Sequence, residues 1–354
     1  MSTTAKVIQK CQSCGGELIF NAAKNGLVCK RCGSFQSVTG TVTTEKSFQS
    51  LLDRAPTWQK DATVMRCEHC GAKTVLSKFD LVAKCDYCGA TNVVQTAEAP
   101  GMQPDTVVLF GLNHAEANKA VETWLSKRFF APSDFKHQLR ERQLNGIYYP
   151  AFTFDAQVTA KYTGTLVNTN TTTVTVEGKA VTRTQTTRHT VADVAGQAFD
   201  DVLILANDNE VSPKVLSKIE PFDTNHGQAF QQSYLSGFAV CQATKEPRAC
   251  WDEAKKVMEQ SIRNKIAARY AGNNTTLENL HLDLEITNIT YKYVLLPIYV
   301  GHIEYKGTKY LLYMNGQTGK IHGKTPKSFW KMFLTFTGVG LLAFAAGIIL
   351  AMFS

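Results

Sequence analysis

Hydrophobic and polar positions change period three times along the chain. In the first hundred residues the apolar positions come in short runs, Leu18-Ile19-Phe20 facing Leu27-Val28 and Thr74-Val75-Leu76 facing Leu81-Val82-Ala83, each pair predicting a small hairpin. After the strand expected at Thr106–Phe110, Asn113 and Glu116 form an N-terminal capping signature, and Ala117, Val121, Trp124 and Leu125 share one helical face. The period then shortens to two. Tyr148–Val167 and Thr172–Val194, rich in Thr, Val and Tyr with a turn at Glu177-Gly178-Lys179, predict an antiparallel meander followed by a buried strand at Val202–Ala206. Ser212-Pro213 opens a short helix and a longer one is expected from Arg248 to Tyr270. Leu280–Ile286 alternates, and Tyr293–Glu304 with Tyr310–Met314 makes a hairpin around Lys306-Gly307. Strands interspersed with separate helices predict an α+β body.

The last regime is uniform. Met332–Phe353 holds no charged residue, and as a helix it would be about 33 Å long against a bilayer core of roughly 30 Å. Lys320, Lys324, Lys327 and Lys331 precede it, with Trp330 at the interface position, so the positive-inside rule puts the body on the cytoplasmic side. The expectation is a single-pass tail anchor with membrane lipid as its partner. The spacing of Ala343, Gly347 and Ala351 would let a second helix approach, which makes self-association a further expectation.

These boundaries give a plan: ribbon 1 over 1–40, a linker over 41–63, ribbon 2 over 64–97, a Pro/Gly linker over 98–105, an α+β body over 106–325 and a transmembrane helix over 332–353. At 354 residues the chain can bury more than one core without crosslinks, which excludes a small disulfide-stapled module. Charge narrows the function. Lys+Arg outnumber Asp+Glu by 12 to 8 over residues 1–100, balance at 22 to 22 over 101–319, and stand at 4 to 0 over 320–354. The surplus of a net +8 chain therefore lies at its two ends.

The cysteines carry the sharpest chemistry. Cys11-x-x-Cys14 and Cys29-x-x-Cys32 are separated by 14 residues, and Cys67-x-x-Cys70 and Cys85-x-x-Cys88 repeat the unit 56 residues on, every pair running into Gly. Each unit predicts a four-thiolate Zn²⁺ ribbon, giving two structural ions in closed sites with no open coordination position for catalysis. Zn²⁺ on eight thiolates would cancel the N-terminal surplus, so nucleic acid is a disfavoured partner. MSTTAKVIQK has no apolar core of a secretory signal, which favours a reducing compartment and disfavours disulfides. His69 reads as a spacer and Cys241 and Cys250 as ordinary buried thiols.

Catalytic patterns are missing. The chain has no His-Glu-x-x-His, no Gly-x-Ser-x-Gly and no Gly-x-Gly-x-x-Gly, and Gly323-Lys324-Thr325 fails as a phosphate loop because Thr318 stands where its first Gly belongs. No enzyme is expected.

Two ribbons, then Gly146-Ile147-Tyr148-Tyr149-Pro150-Ala151-Phe152, Tyr234-Leu235-Ser236-Gly237-Phe238, Leu295-Leu296-Pro297-Ile298-Tyr299 and Asn315-Gly316-Gln317-Thr318-Gly319-Lys320 before the apolar tail, make the chain similar to bacterial membrane-anchored double zinc-ribbon proteins. Such proteins carry labels such as primosomal protein N′-like or transcription-factor-IIB-type, which reflect Cys spacing. The resemblance implies envelope-associated scaffolding with phage-shock-protein-A-like or flotillin-like partners. The expected function is thus a membrane-tethered zinc-ribbon adaptor. The alternative is a membrane-held nucleic-acid-binding protein using Lys30, Arg31, Lys73, Lys78 and Lys84 as phosphate contacts.

Overall fold

The computed structural model describes residues 9–53 (except 22, 23, 25 and 39), the stretches 63–67, 73–76 and 93–96 with Cys85 between them, and residues 102–337 (except 142, 143, 177, 178, 208–210 and 273). An N-terminal four-stranded sheet comprises β1 (Gln9–Lys10), β2 (Glu17–Asn21), β3 (Gly26–Cys29) and β4 (Phe35–Ser37) in that order. β5 (Lys46–Ser47) and α1 (Phe48–Leu52) lead to a three-stranded sheet of β6 (Thr63–Cys67), β7 (Lys73–Leu76) and β8 (Val93–Thr96), with β6 central. The body runs through β9 (Thr106–Val107), α2 (His114–Ser126), α3 (Ser133–Glu141), β10 (Asn145–Val176), β11 (Lys179–Leu205), α4 (Pro213–Ile219), β12 (Gln228–Ala229), β13 (Ala239–Val240), α5 (Pro247–Tyr270), β14 (Thr275–Tyr305), β15 (Thr308–Asn315) and β16 (Ile321–Gly323). A last helix, α6, occupies residues 329–337.

Three strands dominate. β10 spans 32 residues, β11 27 and β14 31, and they pair antiparallel in the order β11-β10-β14, continued by β15 and β16. Alternation dictates one covered face: Phe154, Ala156, Val158, Ala160 and Tyr162 of β10 are buried, while Gln157, Thr159, Lys161 and Thr163 are exposed. α5 lies on the covered face through Trp251, Ala254, Met258, Ile262 and Ile266. Nearer the ribbon, β14 is buried continuously from Tyr291 to Gly301, because elements pack on both sides of it there. At the other end β14 stops pairing at Thr275 opposite Asn168, and β10 and β11 continue as a two-stranded arm to Val176 opposite Lys179. That arm projects roughly 27 Å at the usual rise per residue.

The expected α+β class with two ribbons and a transmembrane helix is corrected: this is a mostly β protein built on one long-stranded sheet, with one ribbon shown. The physical reason lies at positions that read as chain breaks. Asp201, Asn279 and Asn288 have φ of 52°, 52° and 53°, and register shifts fall between Phe154 and Ala156, Asp155 and Gln157, and Thr163 and Thr165. Bulges of this kind bend a strand and add twist without ending it, so segments that sequence divides become single strands. The turn at Lys306-Gly307 forms with φ of 51° and 74°, the left-handed pair that a tight antiparallel hairpin demands.

The tail expectation is corrected as well. Among the described residues no helix is long and apolar enough to cross a membrane, so a single-pass protein with a cytoplasmic body is not supported. α6 begins as a turn held against the body: the Ser328 amide donates to the Phe130 carbonyl at 2.7 Å, and Lys331 Nζ donates to the Ala131 carbonyl at 2.9 Å. Residues 338–354, which contain Ala343, Gly347 and Ala351, lie outside the described residues.

Met258 is fully buried under the sheet and its neighbour Val257 is half exposed. Met258→Ala should cost about 2–5 kcal/mol in chemical denaturation, whereas Val257→Ala should stay within about 0.5 kcal/mol.

Candidate functional site

The N-terminal hairpin brings four cysteines together. Cys11 and Cys14 follow β1, Cys29 ends β3 and Cys32 precedes β4, so two turns meet at one end of the sheet. Both turns are built alike. The Gly15 amide donates to the Cys11 carbonyl at 2.8 Å and the Gly33 amide to the Cys29 carbonyl at 3.0 Å, with φ of 68° and 73° at these two glycines. That left-handed conformation is what a knuckle needs after its second cysteine, and a Cβ would strain it. One ligand atom from each cysteine lies within 4.8 Å of all the others. Cys11 Sγ is 3.7 Å from Cys32 Sγ and Cys14 Sγ is 3.5 Å from Cys29 Sγ. Four sulfurs tetrahedral about Zn²⁺ at about 2.3 Å would sit roughly 3.8 Å apart, so the thiol set fits that ion and closes its coordination.

The thiols are electrostatically poised for this. The Ser34 hydroxyl, 3.1 Å away, brings the Cys11 thiol down to about 6 and also lowers Cys32. Cys14 receives help from the Gly16 amide, yet the adjacent Cys32 and Cys29 sulfurs push it up to about 12. Four thiols sharing so small a volume cannot all ionise without a cation, which is why metal binding here releases protons and is coupled to folding.

The metal end is fixed to the body by a specific seat. Ser236 is fully buried; its hydroxyl donates to the Leu18 carbonyl at 2.7 Å and accepts from the Gln9 amide at 3.0 Å, while its carbonyl accepts from the Phe20 amide at 3.1 Å. Phe20 meets Tyr234 edge to face at 5.2 Å between ring centres. Gly237 has φ of 91°, and a Cβ there would lie 2.8 Å from Ile19 Cγ2. The Tyr234–Phe238 segment singled out in the sequence is thus the ribbon's receptor. Leu18, Phe20 and Leu27 join the body's core with Tyr148, Leu235 and Phe238.

The second cysteine unit is placed differently. Cys67 at the end of β6 and Cys85 are buried among body residues including Ile147, Tyr149 and Cys241. Cys70 and Cys88 lie outside the described residues, as does His69. Among the described residues the four N-terminal thiols form the cysteine cluster able to hold a metal, so one zinc site is visible where two were expected. Cys241 and Cys250 are buried thiols; Asn207 Nδ2 donates to Cys241 Sγ at 3.1 Å.

Sequence reasoning missed a charged network where the segment after the ribbon crosses the sheet. Lys292 is 3% exposed, with Nζ 3.2 Å from both Glu45 Oε1 and Asp201 Oδ1. Thr290 Oγ1 donates toward Glu45 at 2.6 Å and Asp155 at 3.1 Å, and the Asp201 amide donates to Asp155 Oδ1 at 2.6 Å. Burial, then the neighbouring Glu45 carboxylate, pushes the Asp155 carboxyl up to about 7, while the Glu45 carboxyl is lowered, first by its hydrogen bond with Asp155. The pair shares a proton. Its signal in the sequence was a lone lysine one residue into the apolar run Tyr291–Gly301.

Residues 7–38 match a zinc ribbon domain family. The whole chain is similar to "Uncharacterized protein YdjG" of Bacillus subtilis (strain 168), 24% identical over 337 residues and covering 93% of each chain. No solved structure matches the chain. The chain therefore contains a zinc ribbon with a four-cysteine metal site.

Cys29→Ser should lower bound zinc by one ion per chain and expose the ribbon core, checked by elemental analysis of reduced protein and by proteolysis between residues 9 and 40. For Asp155, a folded value above the unfolded one means that its contribution to stability is present at low pH and lost as pH rises from about 4 through about 7; Glu45 runs the other way and protects only above its own lowered range. Stability should thus fall between pH 6 and 8 with a slope of at most about 1.4 kcal/mol per pH unit, and Asp155→Asn should remove that slope in urea titrations at each pH.

Proposed function

We propose that this protein is a non-enzymatic zinc-ribbon adaptor that holds protein partners on a rigid β framework. The observation that carries the reading is the seat at Ser236 and Gly237, which makes the metal site a fixed part of the body. A four-thiolate ion in such a place supplies shape and not chemistry. The solvent side of the ribbon offers Phe35, half exposed, beside Cys32 and Ser34. Away from the ribbon the two-stranded arm offers unpaired strand edges of the kind that accept another chain. Resemblance to double-ribbon proteins adds phage-shock-protein-A-like and flotillin-like assemblies as partner classes. A nucleic-acid role is less well supported: Lys30 pairs with Glu17 at 3.6 Å and Arg31 Nη1 donates to the Cys14 carbonyl at 3.4 Å, so ribbon cations are engaged within the ribbon.

The finer zinc stoichiometry also belongs to this reading. Cys67, Cys70, Cys85 and Cys88 repeat the spacing of the first quartet and, in this proposal, hold a second ion beside the body core.

A photo-crosslinking residue in place of Phe35 should yield a protein adduct in cells that disappears when Cys29→Ser is added. Adducts to nucleic acid alone, or protein adducts indifferent to the ribbon's metal, would count against the adaptor reading. Two zinc ions per chain, falling to one on Cys67→Ser, is the result expected for the second quartet.

A further inference from the structure

Where α6 docks on the body, the surface breaks the usual rule of scattered apolar exposure. Phe329, Trp330 and Phe336 are 69%, 71% and 71% exposed, and Phe129 is 63% exposed. The α6 rings lean mainly on one another: Phe329 stands 6.2 Å from both Trp330 and Phe333. Between α6 and the body lies a groove of about 650 Å³ whose walls include Pro132, Tyr305, Tyr310 and Trp330, with Lys306 and Lys327 on its rim.

The charge of the groove is one-sided. Lys306, Lys327 and Lys331 line it against a single acid, Asp134. Asp134 is already engaged, accepting from the Tyr305 hydroxyl at 2.7 Å, and that bond holds it below the usual carboxylate range. Lys331 is spent on the Ala131 carbonyl and Ser133 hydroxyl, whereas Lys306 lies over the Tyr305 ring at 5.3 Å and Lys327 is exposed. The field extends outward: His322 is depressed, first by burial and then by Lys218, Arg128 and Lys324.

We infer that this groove is a docking site for an acidic, aromatic- or leucine-bearing peptide segment of a partner protein, with Trp330 and Tyr310 as apolar anchors and Lys306 and Lys327 reading its carboxylates. The inward shape selects a peptide, because side chains enter a cavity of this size and a flat lipid surface does not. Exposed aromatic residues flanked by cations are the composition from which interface anchors are drawn. The inference deepens the adaptor reading and rests on it, but it uses residues outside the ribbon, so loss of crosslinking at Phe35 and loss of binding here are separable results.

The test uses the full chain and a fluorescein-labelled dodecapeptide in which Glu alternates with Leu and Phe, read by anisotropy. Binding should be saturable, absent for the same peptide with Lys in place of Glu, and absent when Ser replaces Leu and Phe. The double variant Lys306→Glu, Lys327→Glu should weaken it at least tenfold, and Trp330→Ala should do so with the charges intact. All three side chains are on the surface, and unchanged circular dichroism would certify the fold. Peptide binding undiminished by these variants would overturn the inference. So would sedimentation with phosphatidylglycerol vesicles in the absence of peptide binding, which would hand the face to lipid.

Discussion

The structure depends on one buried hydroxyl. A hairpin of about 30 residues around a metal cannot bury Leu18, Phe20 and Leu27 within itself, since a unit of that size has too little interior. It must cover them with something larger, and Ser236 fixes where. Its hydroxyl and carbonyl satisfy three backbone groups of the ribbon, and no apolar side chain could do so. A lost partner would leave buried polar groups unsatisfied, at about 1–3 kcal/mol each. The aromatic layer beneath follows from that placement: Phe238, next to the seat, stacks on Phe110 at 4.1 Å, and Phe110 in turn meets Tyr148 and Tyr299.

The same sheet that receives the ribbon also carries the long arm, and the two ends need different strands. Near the ribbon β14 is apolar without interruption because both faces are covered; toward the arm it alternates because only α5 covers it. The bulges at Asp155 and Asp201 mark the change of regime. They also aim polar side chains inward at Lys292, so the place where the sheet bends is the place where the segment leaving the ribbon is tied down through Glu45. A buried lysine among three carboxylates adds little net stability, since desolvation offsets attraction, but it fixes which segment lies there.

Much of this was legible in the sequence wherever the signal is local. The cysteine spacing with Gly15 and Gly33 defines the knuckles, Asn113 with Glu116 forms a reciprocal cap, and Ser212-Pro213 starts α4. What escaped was nonlocal. Asn279, Asn288 and Asp201 have the composition of turns, and only cross-strand pairing turns them into bulges. Ser236 is an ordinary loop serine until Leu18 arrives from 218 positions away. The apolar run after Lys331 was read from hydropathy alone, which says nothing of the body contacts that hold its first turn.

Those contacts change the meaning of the terminal lysines. As a sequence pattern, four lysines before an apolar stretch describe a cytosolic flank. In the fold, Lys331 is consumed in anchoring α6, Lys320 donates to the Glu220 carbonyl, and Lys327 is left on the rim of an aromatic groove. Charges that look equivalent in one dimension thus divide into structural and available ones. The same division holds at the ribbon, where Lys30 and Arg31 face Glu17 and the Cys14 carbonyl. Net charge is a poor guide to partners here, because it sums cations that the fold has already committed with the few that it leaves exposed.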